Sequence, residues 1–310
     1  MAKVKDQVIE EVKKVICGKD EVIKLALTGM LSGGHILIED VPGVGKTSMA
    51  LAFSKAMGLD YGRVQFTPDV LPSDITGFTI FDKDTKEMHY KKGAIFHNLF
   101  LADELNRASS RTQSAFLEAM EEGQVTVDEK TYPLPDPFIV FATQNPSGAS
   151  GTSLLPDSQM DRFTVRISMG YPGREDEKAM IMNRQEGKVP MQTIERICTS
   201  DDMLRMRKEA AQVHLRDKLL DYVVALVEAT RNHPDLERGA SPRATLALTA
   251  MAKAYAYMHD RDVVTEDDVR AVFCPVMSHR LLLTPEAEFN ELKTDAIAEE
   301  ILKTTTLARV

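Results

Sequence analysis

The stretch GGHILIEDVPGVGKT, residues 33–47, decides the fold. His35 to Ile38 is a short apolar run and reads as a buried strand. Gly43 and Gly45 make a glycine-rich turn, and Lys46 to Met57 carries helical spacing. The succession strand, glycine turn, helix is a phosphate-binding loop. Its glycines let backbone N–H groups turn inward toward phosphate oxygens, and the helix adds its positive N-terminal end. Pro42, Gly43, Val44, Gly45, Lys46, Thr47 and Ser48 are the candidate cradle. Lys46 is placed to reach the β- and γ-phosphates, and the Thr47 hydroxyl to hold Mg2+. One position departs from the strict pattern: Asp40 stands where glycine is expected.

Working outward, the alternation continues. Two helices precede the loop, over Asp6 to Val15 and Asp20 to Leu31, the second closed by Gly33-Gly34. After it come strands at Arg63–Phe66, Asn98–Ala102, Phe138–Ala142 and Phe163–Ile167. Ser110-Arg-Thr-Gln113 reads as a capping box opening a helix through Met120. Continuous apolar strands between helices argue a parallel sheet covered on both faces. Two stretches interrupt the rhythm. Residues 67–93 hold prolines, glycines and two strand-like pieces, and residues 124–134 alternate as a β-hairpin. Beyond Pro172-Gly173 the signals turn helical, with helices over Arg216–Arg231, from Ser241-Pro242 to about Met258, and from Thr265. This predicts an α/β body over residues 1–171 and a helical domain over 172–310.

Leu99-Phe-Leu-Ala-Asp103-Glu104 ends an apolar strand in two carboxylates, at the edge where open α/β sheets bind ligands. Asp103 is the candidate metal carboxylate and Glu104 the candidate base for an attacking water. Asn145 follows the next apolar strand and is a candidate to orient that water or sense the γ-phosphate.

Composition narrows the classes. The 310 residues are 43% hydrophobic and 27% charged with a formal net charge of −9, so nothing in bulk attracts nucleic acid. Cys17, Cys198 and Cys274 lie far apart and form no CxxC pair, which fits reduced thiols in a cytoplasmic setting rather than a disulfide or zinc framework. The charged start MAKVKDQVIEEVKK has no signal-peptide core, and no apolar run is long enough to span a bilayer. The histidines are scattered without metal-ligand spacing.

The words GGHILIEDVPGVGKTSMA, RVQFTPDVLPSDITG, FLADELNRASSRTQSAFLEAMEEGQVTVD, FATQNP, LPDSQMDRF and GASPRA together resemble the MoxR family of AAA+ ATPases over most of residues 14–283. The resemblance implies an AAA+ P-loop NTPase domain with a C-terminal all-helical lid, using ATP/ADP and Mg2+. It implies that the two interruptions are the helix-2 insert and the pre-sensor-1 hairpin. Asn145 resembles sensor 1. Arg243 resembles sensor 2, reaching the γ-phosphate of its own subunit. Arg162 resembles the arginine finger that enters a neighbour's site, with Arg107 and Arg111 as rivals. Gly18 lies in a segment resembling the one that packs near the adenine. The resemblance further implies a ring, expected to be a hexamer, acting as a chaperone-like motor on a partner with a von Willebrand factor A (VWA) domain, in metal-cofactor insertion or complex maturation. A metal-chelatase motor subunit and a nucleic-acid-remodelling ATPase are the alternatives.

Overall fold

The computed structural model describes residues 2–145 and 155–307. Helices α1 (Ala2–Lys13) and α2 (Asp20–Leu31) lead into strand β1 (Ile36–Glu39) and helix α3 (Lys46–Ala56). Strand β2 (Tyr61–Gln65), helix α4 (Pro72–Thr76) and the antiparallel pair β3 (Gly77–Phe81) and β4 (Met88–Lys92) follow. Strand β5 (Leu99–Asp103), helix α5 (Ser110–Glu122), the hairpin β6 (Gln124–Val127) and β7 (Lys130–Pro133), and strand β8 (Ile139–Gln144) come next. A one-turn helix α6 (Asp157–Met160) precedes β9 (Val165–Ile167). The remainder is helical: α7 (Arg174–Gln185), α8 (Ser200–Gln212), α9 (Asp217–Arg231), α10 (Pro242–Met258), α11 (Glu266–Met277), α12 (Pro285–Phe289) and α13 (Thr294–Thr304). Only a short antiparallel pair, β10 (Leu236–Arg238) and β11 (Leu282–Leu283), interrupts it among the described residues.

The central sheet has the order β2-β5-β8-β1-β9, and every pairing is parallel. Side chains alternate across it, as a two-residue period requires. Ile36, Ile38, Leu99, Leu101, Ile139, Phe141, Val165 and Ile167 face one cluster, shared with α1, α2, α3 and the later helices. Leu37, Phe100, Ala102, Val140 and Ala142 face a second cluster, packed by Phe66, Phe116 and Leu117. The first cluster runs without a break from α1 to α13, so the later helices rest directly on the body. Lys5, on α1, reaches the carboxylate of Asp260 just past α10 at 2.7 Å.

Both interruptions expected from sequence are hairpins outside the sheet, and they meet: Tyr90 of β4 stacks on Tyr132 of β7 at 3.8 Å between ring centres. One local expectation is corrected. The cap of α5 is Ser109, whose hydroxyl accepts from the Thr112 amide at 3.3 Å, and not Ser110. Gln113 closes no box. Its amide donates instead to the carbonyls of Leu105 and Ala108, tying the helix to the turn that follows β5.

His35, at the start of β1, welds the sheet to α5. Its Nδ1 accepts from the Val140 amide at 3.0 Å, so the neutral ring carries its proton on Nε2, which donates to the Met120 carbonyl at 3.2 Å. Burial holds this imidazole neutral down to about 4. An unfolded imidazole takes a proton below roughly 6.5, so between those values the unfolded chain binds more protons and stability falls as pH falls. The expected loss across that window is about 3 kcal/mol. Urea midpoints measured from pH 7 to 4.5 check it, and His35→Gln, which keeps a donor and an acceptor, should flatten the slope.

Candidate active site

The phosphate loop, the Asp103-Glu104 pair and Asn145 gather at the C-terminal edge of the sheet, because register sets them there. Glu39 lies opposite Gln144 and Gln65 opposite Asp103, so β1, β2, β5 and β8 end side by side. The loop after β1 turns through Gly43 at φ +87° and Gly45 at φ +98°, left-handed values that side chains resist. Gly45 then caps α3, whose first residues are Lys46 and Thr47. Pro42 and Gly43 are exposed at the loop's crest, and Val44 to Ser48 are half-buried beneath it. Lys46 Nζ donates to the Asp40 carbonyl at 2.6 Å. Burial lowers the Lys46 pKa, while the carboxylates of Asp40, Asp103, Glu104 and Glu39 pull in the opposite direction.

Thr47 Oγ1 donates to Asp103 Oδ2 at 3.4 Å. A hydroxyl and a carboxylate this close suit one Mg2+, whose neighbouring oxygens sit about 3 Å apart around a centre bonded at about 2.1 Å. The donor set therefore fits the ion that the sequence reading implies. Asp103 is 8% exposed and carries two further bonds. Thr143 Oγ1 donates to Oδ1 at 2.6 Å, and Arg63 Nη2 donates to Oδ2 at 2.9 Å. Thr143 also accepts the Glu104 amide at 2.8 Å, so β8 fixes both residues of the carboxylate pair.

Glu104 has a left-handed backbone, φ 53° and ψ 48°, which is costly for a side-chain-bearing residue. The turn carries its carboxylate back over β2. Gln65 Nε2 donates to Oε2 at 2.8 Å, and Arg107 Nη1 bonds the same oxygen at 2.7 Å. Asn145 follows β8 at the same edge, and its carbonyl accepts from Asn106 Nδ2 at 3.5 Å. It is the last described residue before 155.

Gly18 sits beside this edge. Neighbouring Ile16 and Met169 are the side chains nearest Gly45, and Lys19 Nζ donates to the Tyr171 carbonyl at 2.7 Å. Any side chain at Gly18 would collide with the Asp176 carboxylate, 2.0 Å from where its Cβ would stand.

The arginines divide. Arg107, a rival candidate for reaching a neighbour, is engaged with Glu104 of its own chain. Arg111 is exposed in the first turn of α5. Arg162 and Arg243 lie at the opposite edge of the sheet, joined by Glu121, whose Oε2 is 3.3 Å from Arg162 and whose Oε1 bonds Arg243. Two bonds fix that placement. Glu121 follows Met120, which His35 holds before β1, and the Thr164 amide, before β9, donates to the His35 carbonyl at 2.9 Å. The four residues of β1 put roughly 13 Å of strand between this edge and the loop. The expectation that Arg243 reaches its own γ-phosphate is therefore not met in this arrangement. The lid lies along α2 and β9, and that packing carries the first turn of α10 to the far edge.

Asp161 and Arg280 build the support for the two arginines. Ser241, which caps α10, donates to Asp161 Oδ2 at 2.9 Å. Arg280 is 6% exposed and donates to the Phe163 carbonyl at 2.5 Å, and His279 bonds the same carbonyl at 2.9 Å. Four of these participants, Arg63, Gln65, Glu121 and Arg280, are given no role by the sequence, although the first three lie within the words that resemble the family.

Comparison with known proteins agrees with this architecture. Residues 35–165 match the family described as "ATPase family associated with various cellular activities (AAA)", and residues 228–301 match the AAA lid domain. The chain is 45% identical over 294 residues to the uncharacterized protein YeaC of Bacillus subtilis, covering 95% of this chain and 92% of that one. It is 40% identical to the chaperone MoxR1 of Mycobacterium tuberculosis, covering 98% and 82%. A solved structure of a Cytophaga hutchinsonii protein, described as a candidate ATPase, superposes with a TM-score of 0.92 at 38% identity, covering 99% of this chain and 96% of that one.

Proposed function

The chain belongs to the MoxR family of AAA+ ATPases, and from that premise we propose that it binds and hydrolyses ATP with Mg2+ between adjacent copies of itself in a ring. Residues 1–171 form the ATPase body in this reading, and residues 172–310 the lid. The loop amides from Gly43 to Ser48 and the Lys46 ammonium hold the phosphates. Thr47 and Asp103 hold Mg2+, which neutralises phosphate charge when bound. Glu104 takes the proton of the attacking water. Asn145 orients that water, and Gly18 lies against the base.

The observation that carries the ring is the division of the arginines. One edge of the sheet holds a phosphate loop, a metal pair and a base. The other holds Arg162 and Arg243 on a single carboxylate. Neither arginine can span the strand length to its own loop, so each site is completed by a neighbour's edge. Repeating such a head-to-tail contact closes a ring, and six copies is the number we propose. Driven by this cycle, the ring would remodel a partner protein in the cytoplasm. From the resemblance we propose a VWA-domain partner and a role in metal-cofactor insertion or complex maturation. The formal charge of −9 supports a protein rather than a nucleic-acid client, and among the described residues no helix is long and apolar enough to cross a membrane.

The test is turnover of ATP by purified protein over a dilution series. Turnover per chain should rise with protein concentration, since a lone copy has half a site. Lys46→Ala should weaken ATP binding by about tenfold or more, the loss of one charge-assisted phosphate contact. Turnover independent of concentration and of Lys46 would remove the reading.

A further inference from the structure

Asp40 stands where the phosphate-loop pattern has glycine, and the structure shows what its side chain does. The residue is 8% exposed, and its carboxylate accepts four hydrogen bonds. The Val41 amide donates to Oδ1 at 2.8 Å. Ser168 Oγ at 3.0 Å and the amides of Met169 and Gly170, both at 2.6 Å, donate to Oδ2. Burial works against this charge, yet the donors from Gly170, Val41, Ser168 and Met169 outweigh it and hold the carboxyl below its ordinary range. Three of the four donors belong to the segment that leaves β9 and continues through Tyr171 and Pro172 into α7. The carbonyl of the same residue accepts from Lys46 Nζ. One residue therefore touches the phosphate-binding lysine with its backbone and the exit of β9 with its side chain.

We infer that Asp40 is a positioning residue that couples phosphate binding at the loop to the segment 168–170, and through it to the helical half. The inference rests on the nucleotide site proposed above. A phosphate that competes for Lys46 weakens its bond to the Asp40 carbonyl and re-aims the Asp40–Val41 peptide. The carboxylate, bonded to two successive amides, carries that movement to Met169 and Gly170. Glycine at position 40 would leave the loop able to hold phosphate and would transmit nothing. An aspartate that served folding alone would bond the segment equally with and without nucleotide.

Amide hydrogen exchange of residues 166–172 in the full chain, with and without saturating ADP, reads this coupling, with ADP affinity measured in parallel. In the wild type, ADP should change the exchange rate of the Met169 and Gly170 amides by about tenfold or more. Asp40→Gly should bind ADP within about threefold of wild type, because backbone amides and the helix end supply the cradle. Its 166–172 exchange should be fast and indifferent to ADP. Asp40→Asn keeps one acceptor oxygen and should recover part of the response, which also guards against a glycine variant that folds poorly. An undiminished ADP response in Asp40→Gly overturns the inference, as does a loss of ADP binding that would put Asp40 in the cradle itself. A wild type that binds ADP with no response in 166–172 overturns the coupling alone. A wild type that binds no ADP overturns the nucleotide site and the coupling together.

Discussion

Glu104→Gln is expected to bind ATP as the wild type does and to hydrolyse it about 10³-fold more slowly, the usual contribution of a positioned general base. The substitution keeps shape and length. Its amide oxygen can still accept from Gln65 and Arg107, which now hold the carboxylate at 2.8 and 2.7 Å. The left-handed turn at φ 53° is equally demanding for either side chain. What is lost is the ability to take a proton from water. Single-turnover hydrolysis separates that loss from binding. With ATP trapped, the protein should also remain assembled, which size-exclusion chromatography in ATP would show. A rate within about fivefold of wild type would mean that another group activates water, since truncating a real base costs far more than that. Arg107→Ala makes a useful contrast. It removes one partner of the carboxylate and leaves the carboxylate itself in place, so turnover should fall far less than it does in Glu104→Gln.

The parts of this site that sequence reveals are those written in consecutive residues. The run from His35 to Thr47 shows strand, turn and helix because each is local: an apolar run, two glycines and a cationic helix start. Asp103 and Glu104 are legible for the same reason, ending a fully buried strand. Where the decision is not local, sequence fails. Ser109 and Ser110 each have a plausible cap partner three residues on. The choice fell to Ser109 because Gln113 is used by the carbonyls of Leu105 and Ala108. Arg63 and Gln65 enter the site only through the pairing of β2 with β5, which sets Gln65 opposite Asp103 across a gap that includes the whole first insertion. The placement of Arg243 depends on how the lid helices pack along α2 and β9, and no motif encodes that packing. Asp40 is the reverse case. Its departure from the pattern is visible in sequence, but its meaning needs the exit of β9 folded against it.

Mixing two dead variants gives the sharpest expectation for the arginines. Arg162→Ala alone should lose at least about 10³-fold in turnover while keeping nucleotide affinity, as removal of a trans-acting arginine does elsewhere. Lys46→Ala should be inactive for the separate reason that its own loop binds ATP weakly and lacks the cation that reaches the β- and γ-phosphates. A site shared between copies needs an intact loop from one chain and an intact arginine from the next. In a random equal mixture that combination falls at about one interface in four, so roughly a quarter of wild-type activity should return. Arg243→Ala mixed with Lys46→Ala discriminates further. Arg243 shares Glu121 with Arg162 at the edge remote from its own loop, so the same recovery is expected. If Arg243 instead served its own chain, every copy with a working loop would lack it, and nothing would return. Recovery with Arg162→Ala but not with Arg243→Ala would therefore mean that the lid leaves its seat on α2 and β9 during turnover. The bonds from Ser241 to Asp161 and from Arg280 to Phe163 oppose that movement. They couple the first turn of α10 to the residues flanking Arg162, so the two arginines should act as one unit.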